Sequence, residues 1–266
     1  MKLVCWLVFL CSLIVPCNAD AGSILNSAAN FAILAGTTVT NTGNTVITGD
    51  IGVSPGTAIT GFPPGIDNGT MHSADGASAQ GEADLTSAYN YLAGLVPTQV
   101  LANDEYGGVT FTAGVYKLTS AADLTGIMTL SGSGTFVFQI ASSFVVANSA
   151  AIDLIGGADA NNVYFQVGSS ETTGTYAQLE GNIVALQSIS LATGSTLGVG
   201  RALAINGAVT LEDNIISTTT SLNPTPEPAT FALGGLAVIC ALAWISIVRT
   251  RKTPLAMPVK ANPPSC

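Results

Sequence analysis

The sequence predicts an all-β protein whose short strands stack as successive coils of a β-solenoid. Apolar strands recur in the second half of the chain at intervals of about 20 residues, which is a spacing typical of solenoid coils. Further short strands, separated by glycine and asparagine turns, fill these intervals. Residues 20–225 contain 27 threonines and 15 carboxylates but only two cations, which is the composition of a stacked β surface and not of a catalytic cleft.

The repeat predicts three short strands in each coil. The apolar strands are residues 136–140, 163–167, 183–186 and 202–205. The strands between them are residues 142–146, 151–155, 188–191 and 208–211. Three strands per coil indicate a roughly triangular β-helix, but an antiparallel sandwich also produces strands at such spacing. Periodicity alone therefore leaves both architectures open.

One segment, residues 73–95, departs from the β pattern and predicts a long helix. Asp75 lies in its first turn, and Gly94 and Pro97 mark its end. The apolar positions at helical spacing are Leu85, Ala88, Leu92 and Leu95. A face this narrow and alanine-rich predicts that the helix packs lengthwise along one side of the coils and covers apolar strand surface.

The N-terminal residues 1–19 predict a secretory signal peptide. Lys2 precedes an apolar run, and Ala19 offers a small residue for cleavage. Acylation of Cys17 is a weaker alternative, because Pro16 occupies the position where a lipoprotein signal has a small residue. The protein is therefore expected to be exported.

The C-terminal region predicts a membrane anchor. Residues 231–248 contain no charge, and at a rise of about 1.5 Å per residue a helix of this length spans roughly 27 Å. Arg249, Arg251 and Lys252 follow directly, which places the tail, residues 249–266, in the cytoplasm and the rest of the chain outside.

The proline-rich linker, residues 222–230, contains Pro226, Glu227 and Pro228. This tripeptide, the apolar segment after it and the basic cluster with Arg249 and Arg251 together resemble the PEP-CTERM sorting signal of Gram-negative bacteria. The resemblance implies processing by a membrane-embedded protease of the exosortase type, and a location at the cell surface or in the medium. The tail after the basic cluster is longer than such signals usually have.

The exported part, residues 20–221, offers little to catalysis. It contains no cysteine and a single histidine, His72, which is expected to cap or pack near the helix. The acid pairs 104–105 and 212–213 are adjacent in sequence, so on a strand their members point to opposite faces. No cofactor and no metal is expected. The excess of carboxylates also makes nucleic acid and anionic lipid poor partners, and the isolated Arg201 is expected to pair with a carboxylate.

Several segments, in order along the chain, resemble the ice-binding-like domain known as DUF3494. The matching segments are residues 29–36, 40–43, 48–56, 61–65, 83–89, 162–168 and 200–211. The resemblance runs from about residue 24 to residue 217. It implies a discontinuous right-handed β-helix with one long helix alongside, in which N-terminal and C-terminal coils stack together, and an ice-binding activity on one flat face.

The face of a β-helix holds its side chains on a regular grid whose spacings are suited to ice. Neighbouring coils lie about 4.8 Å apart, and residues i and i+2 of a strand about 6.6 Å apart, both close to oxygen repeats in ice. Family members often carry the pattern Thr-Ala/Gly-x-Thr/Asn on the binding face. Three segments fit this pattern, and the predicted ice-binding residues are accordingly Thr42, Thr45, Thr57, Thr60, Thr193 and Thr196. Threonine and glycine are also common in β turns, so the pattern has a structural interpretation too.

The sequence therefore predicts an exported, non-enzymatic protein that adsorbs to ice and restrains crystal growth or recrystallisation. The alternative is a cell-surface adhesin or a structural protein of an exopolysaccharide matrix. Carbohydrate binders usually expose aromatic side chains, whereas the aromatic residues here fall in strands that look core-facing, which favours ice.

Overall fold

A computed structural model describes residues 24–102 and 104–219, all within the first of the two units into which the chain divides, Met1–Thr220. The predictions for the signal peptide, the linker, the membrane segment and the tail lie outside the described residues. Within the described ranges, no helix combines the length and the apolar character needed to span a bilayer.

The described chain consists of short strands with one long helix. The helix α1 is Gly76–Gly94, and single 3₁₀ turns occupy Asn26–Asn30 and Ala160–Asn162. The strands are β1 Phe31–Ala35, β2 Thr38–Thr42, β3 Val46–Thr48, β4 Asp50–Val53, β5 Ala58–Thr60, β6 Ile66–Asp67, β7 Met71–Ser73, β8 Gln99–Leu101, β9 Thr110–Leu118, β10 Ala122–Leu124, β11 Ile127–Ile140, β12 Phe144–Val146, β13 Ala151–Ile155, β14 Val163–Val167, β15 Glu171–Thr173, β16 Gln178–Ala185, β17 Ile189–Leu191, β18 Thr196–Ala204, β19 Val209–Glu212 and β20 Ile215–Ser217.

These strands stack in three rows, and every paired strand in the described ranges runs parallel to its neighbour. The first row, which we call the seven-strand face, has the order β10-β12-β15-β17-β19-β2-β5. The second, the helix face, contains β14, β1, β4 and the C-terminal halves of β11, β16 and β18. The third face contains β13, β20, β3 and the N-terminal halves of the same long strands. Because all these strand pairs are parallel, the architecture is a solenoid-like stack and not an antiparallel sandwich.

The stacking order departs from the chain order. Strand β1 lies between β18 and β4, with Ile33 in register with Ala202 on one side and with Ile51 on the other. On the seven-strand face β2 pairs with β19, and on the third face β3 pairs with β20. The first coils of the chain therefore stack on its last coil, as the family resemblance implies. The right-handed sense of the coils stays a prediction.

A column of aromatic rings runs through the interior. Tyr116 stacks on Phe138 with ring centroids 5.4 Å apart, and Phe138 stacks on Phe165 at 5.1 Å. The same register continues through smaller side chains, including Ile183 and Ala202. Such close packing leaves little room for a coil to shift, which makes the faces stiff.

The helix covers the helix face, as predicted. Its residues Leu85, Ala88 and Leu92 are buried in one cluster with residues from several coils, among them Leu34 and Val137. The helix begins at Gly76, three residues later than predicted, because Asp75 is its N-cap and forms a capping box with Ser78. The amide of Ser78 and the ring of His72, at 2.7 Å, hold the pKa of Asp75 at about 2.

The prediction that Arg201 pairs with a carboxylate is wrong. Its Nε donates to the carbonyl oxygen of Ala29 at 2.8 Å, and its Nη1 donates to the amide oxygen of Asn182 at 2.8 Å. Burial lowers its pKa. Because Arg201 lies in β18, its hydrogen bond to Ala29 joins the last coil to the segment that precedes β1.

Candidate functional site

The outward side chains of the seven-strand face form a registered column. Backbone pairing places one residue from each strand side by side across the whole sheet. From one end to the other, this central column contains Asp123, Val145, Thr172, Ser190, Thr210, Thr40 and Thr60. The four threonines are exposed, and Ser190 is half-buried. Adjacent members belong to neighbouring strands and are therefore separated by about 4.8 Å.

Two further columns flank the central one, two residues before and two residues after it along each strand. The column before it contains Ala121, Ser143, Ser170, Ser188, Ala208, Thr38 and Ala58. The column after it, which we call the third column, contains Thr125, Ala147, Gly174, Ala192, Glu212 and Thr42; the corresponding position after β5 is Phe62, which is half-buried and packs against the core. Among all these positions, only Asp123 and Glu212 carry a charge. Apart from these two acids, Val145 and Phe62, the face is built of small or hydroxylated side chains.

The threonine hydroxyls on this face are of two kinds. The Oγ1 of Thr42 donates to the carbonyl oxygen of Leu211 at 3.3 Å, and that of Thr60 donates to Val39 at 3.4 Å. These weak bonds orient the side chains against the neighbouring coil. No described residue bonds the hydroxyls of Thr40, Thr172 or Thr210, which leaves them available to water.

No described aromatic side chain belongs to the central column, and Phe62, beside the end of β5, is half-buried against the core. The stacked rings are inside, while the most exposed aromatic side chains are Tyr91 on the helix and Tyr176 at a turn, with 56% and 64% of their surface accessible. An adhesin that recognises sugars through exposed rings would need them on its binding face. The arrangement therefore gives the adhesin alternative no specific support.

Three of the six threonines predicted as ice-binding lie on or beside the seven-strand face. Thr60 belongs to the central column and Thr42 to the third column. Thr57 is exposed directly before β5, and its carbonyl oxygen accepts a hydrogen bond from the hydroxyl of Ser73 at 2.7 Å.

The other three do not share this face. Thr45 is completely buried, and its Oγ1 accepts a hydrogen bond from the amide of Asn214 at 3.0 Å, so its selection as an ice contact is wrong. Thr193 is half-buried in a turn, and Thr196 lies on the third face in register with Ile215. The structure thus does not bring the six predicted residues together.

The pattern Thr-Ala/Gly-x-Thr/Asn has a turn interpretation at the two of its three occurrences that contain glycine. Gly43 and Gly194 have φ values of 87° and 71°, in the left-handed region that glycine adopts without strain. The equivalent turns of neighbouring coils place Ser149, Tyr176 and Asp213 at φ values of 58°, 57° and 50°. The glycine in the pattern therefore allows the chain to turn between the seven-strand face and the third face.

The main members of the central column are not among the residues that the sequence predicted as ice-binding. Each strand of this face is so short that its alternation of outward and inward residues is a weak sequence signal. That signal does not single out Thr40, Thr172, Ser190 and Thr210. Their common position depends on the register between coils, which the sequence does not display.

A buried acid lies beneath the face. Glu171 points inward from β15, and burial raises the pKa of its carboxyl to about 8. The hydroxyl of Thr173 donates to one of its oxygens, while Oε2 has no partner among the described residues. Glu171 is therefore mainly neutral at neutral pH, and it adds little charge behind the hydroxyl columns.

The single histidine lies at the start of the helix. His72 Nδ1 lies 2.7 Å from Asp75, its Nε2 lies 3.8 Å from Asp50, and its ring packs edge-on against Phe31. This agrees with the expected packing role. Within residues 24–102 and 104–219, no group of three or more histidine, cysteine or acidic side chains is arranged to hold a metal ion.

Comparison with known proteins decides the family. The ice-binding-like domain family matches residues 33–217. The chain belongs to the ice-binding-like family. An ice-binding protein from Nostoc sp. (strain HG1) is 48% identical over 220 residues, which cover 79% of this chain and 81% of that protein. Family membership confirms the resemblance found in the sequence and supports the prediction of a non-enzymatic protein.

Solved structures agree with the fold. The crystal structure of an ice-binding protein from the Antarctic ascomycete Antarctomyces psychrotrophicus has a TM-score of 0.71 at 44% identity, covering 74% of this chain and 98% of that one. An ice-binding protein with antifreeze activity from an Arctic yeast has a TM-score of 0.70 at 33% identity, covering 76% and 96%. The family match does not extend to residues 226–251, so the sorting signal stays a prediction.

Proposed function

We propose that this member of the ice-binding-like family adsorbs to ice through its seven-strand face and thereby restrains crystal growth or recrystallisation. The observation that carries the proposal is the central column, in which Thr172, Ser190, Thr210, Thr40 and Thr60 lie in register on consecutive strands. Ice is a repeating surface, so a repeating array of side chains can meet it at many points at once.

The chemistry of threonine suits this role. Its hydroxyl both donates and accepts hydrogen bonds, so it can anchor a water molecule, and its methyl group limits the freedom of neighbouring waters. As a β-branched residue it also has few χ1 rotamers, so little side-chain entropy is lost when water orders around it. The stacked core holds the strands at fixed spacing, and many weak contacts then act together without a pocket.

The proposal includes export. The signal peptide at residues 1–19 would direct the chain across the membrane, and residues 231–248 would hold it there until an exosortase-type protease acts near Pro226, Glu227 and Pro228. Residues 20–225 contain no cysteine, so the exported fold does not depend on a disulfide. A right-handed coil sense is part of the same proposal, because the resemblance implies it.

The test compares two threonine variants of the exported part, residues 20–225. Thr210 lies at the middle of the proposed site, whereas Thr86 is exposed on the helix and serves as a matched control. We expect the unaltered protein to shape ice crystals and to slow recrystallisation. Thr210→Tyr places a bulky ring on the flat array and is expected to lower activity about tenfold or more, which corresponds to roughly 1.4 kcal/mol of lost adsorption energy. Thr86→Tyr should keep full activity.

Circular dichroism would show that both variants fold. Absence of ice shaping by the unaltered protein at high concentration would contradict the proposed function. Equal losses in Thr210→Tyr and Thr86→Tyr would contradict the choice of face.

A further inference from the structure

We infer that Glu212 limits the area of the seven-strand face that can contact ice, and that its side chain makes the present activity weaker than the fold allows. The inference rests on the proposed function and goes beyond it by naming a residue that opposes adsorption. Glu212 is the last residue of β19 and lies in the third column.

The backbone places Glu212 within the site. It is in register with Thr42 on one side, and the pairing of Leu211 with Leu191 places Ala192 beside it on the other. Its amide donates to the Oδ1 of Asn214 at 2.6 Å, and its carbonyl oxygen accepts from the amide of Gly194 at 3.2 Å. The backbone is therefore fixed, and the side chain must project from the face at this point.

The carboxylate itself is not tied down. Glu212 is exposed, and no described residue donates a hydrogen bond or forms an ion pair with its carboxylate. Its neighbour Asp213 differs, because the Oδ1 of Asp213 accepts a hydrogen bond from the amide of Asn44 at 2.5 Å and thereby closes the corner turn. Asp213 thus has a structural role, whereas the described contacts show none for the side chain of Glu212.

Two physical effects make this side chain unfavourable against ice. Gly174 and Ala192, the preceding members of the third column, have no atoms beyond Cβ, so the longer glutamate side chain rises above a flat strip. In addition, a carboxylate binds its own hydration shell strongly, and removing or reordering that water is costly. Both effects keep an ice surface away from the third column at β19.

The second charged position is less disruptive because of where it lies. Asp123 occupies the end of the central column, beyond Val145, and is half-buried. It shortens the column at one end and does not divide it. Glu212 instead lies between Thr42 and Ala192 and interrupts the third column, so ice contact at β19 is limited to the other two columns.

The experiment uses the full chain with Glu212→Thr and Glu212→Gln. Glu212→Thr removes both the charge and the excess height and adds a hydroxyl next to Thr42. Glu212→Gln removes only the charge. We expect Glu212→Thr to inhibit recrystallisation at a concentration lower by about threefold or more, which corresponds to roughly 0.6 kcal/mol. Glu212→Gln should show a smaller gain, because the height remains.

The matched control is Asp153→Thr. Asp153 is exposed on the third face, so this substitution makes the same change in charge away from the seven-strand face. It should leave activity unchanged. An equal gain in Asp153→Thr would show an effect of net charge alone and would overturn the inference.

The outcomes also separate this inference from the proposed function. If Glu212→Thr folds but is no more active than the unaltered protein, while Thr210→Tyr is inactive, the inference fails and the face assignment stands. If the unaltered protein has no effect on ice, both fail. A gain in Glu212→Thr that disappears in the double variant with Thr210→Tyr would support both.

Discussion

At the scale of single residues, two glutamates are held in environments that favour the neutral acid. Burial raises the pKa of Glu171, inside the coils, and of Glu82, on the helix, to about 8 in each case. One oxygen of each carboxyl has no hydrogen-bond partner among the described residues, so ionisation would leave a charge without compensation. Both groups couple the fold to pH.

The sign of that coupling follows from proton binding. Between the ordinary glutamate value of 4.5 and about 8, the folded state keeps a proton that the unfolded state has lost. The free energy of unfolding therefore falls as pH rises through this window, by up to about 1.4 kcal/mol per pH unit for each group, and levels off above it.

We predict that Glu171→Gln removes about half of this pH dependence, because glutamine cannot ionise and can still accept the bond from Thr173. Urea unfolding at several pH values between 5 and 9 would measure how the free energy of unfolding depends on pH. This range covers the pH window set by the raised pKa of Glu171. Glu82→Gln should remove a comparable part, and a smaller remainder should come from Glu180, whose pKa burial also raises. A Glu171→Gln variant whose stability varies with pH as steeply as that of the unaltered protein would refute the assignment.

At the scale of elements, the long helix shows how a sequence signal and a distant contact combine. Its apolar spacing at Leu85, Ala88 and Leu92 could be seen in the sequence, and the structure confirms that this face packs on the coils. The anchoring of its end could not be seen. Gln139, from β11, is 5% exposed, and its Nε2 donates to the carbonyl oxygens of Leu92 at 2.7 Å and Leu95 at 2.9 Å.

We predict that Gln139→Met destabilises the protein by about 1–3 kcal/mol, because it leaves carbonyl groups at the helix end without a donor. Amide hydrogen exchange should accelerate most in the last turn of α1. Gln187→Met is the matched control, since Gln187 is exposed in the turn between β16 and β17 and should tolerate the change. Equal denaturation midpoints for the two variants would show that the anchor is unimportant.

The corner turns illustrate the opposite case, in which a sequence pattern was given the wrong role. Thr42 and Thr45 have the spacing expected of a binding motif, yet Gly43 between them turns the chain at positive φ. The turn leaves Thr42 exposed and directs Thr45 inward to the amide of Asn214. Spacing alone cannot distinguish a motif that faces water from one that rounds a corner.

At the scale of the whole described unit, stability depends on closing the stack with coils from both ends of the chain. Strands β1, β2 and β3 cover the edges of β18, β19 and β20, respectively. Without them, the last coil would present unpaired backbone amides and carbonyls along all three faces, and such edges promote aggregation. The N-terminal coils are therefore required by the C-terminal ones.

We predict that a chain of residues 74–219 fails to fold as a soluble monomer, whereas residues 24–219 fold cooperatively. The shorter chain keeps the helix and most coils but loses the partners of β18, β19 and β20. Size-exclusion chromatography and thermal melting followed by circular dichroism would compare them. A soluble, cooperatively melting 74–219 would contradict a requirement for closure.

The sequence by itself determined the local features of this protein: the strands at solenoid spacing, the helix, the acidic surface and the family to which it belongs. Each of these depends on residues close together in the chain or on ordered segments that can be compared directly. The tertiary structure alone decided which threonines share a face. Thr40 and Thr210 are neighbours because a parallel pairing joins strands from opposite ends of the chain, and Thr45 is excluded because a turn directs it inward. Register between distant coils is set by the packing of the whole stack, and no local pattern encodes it.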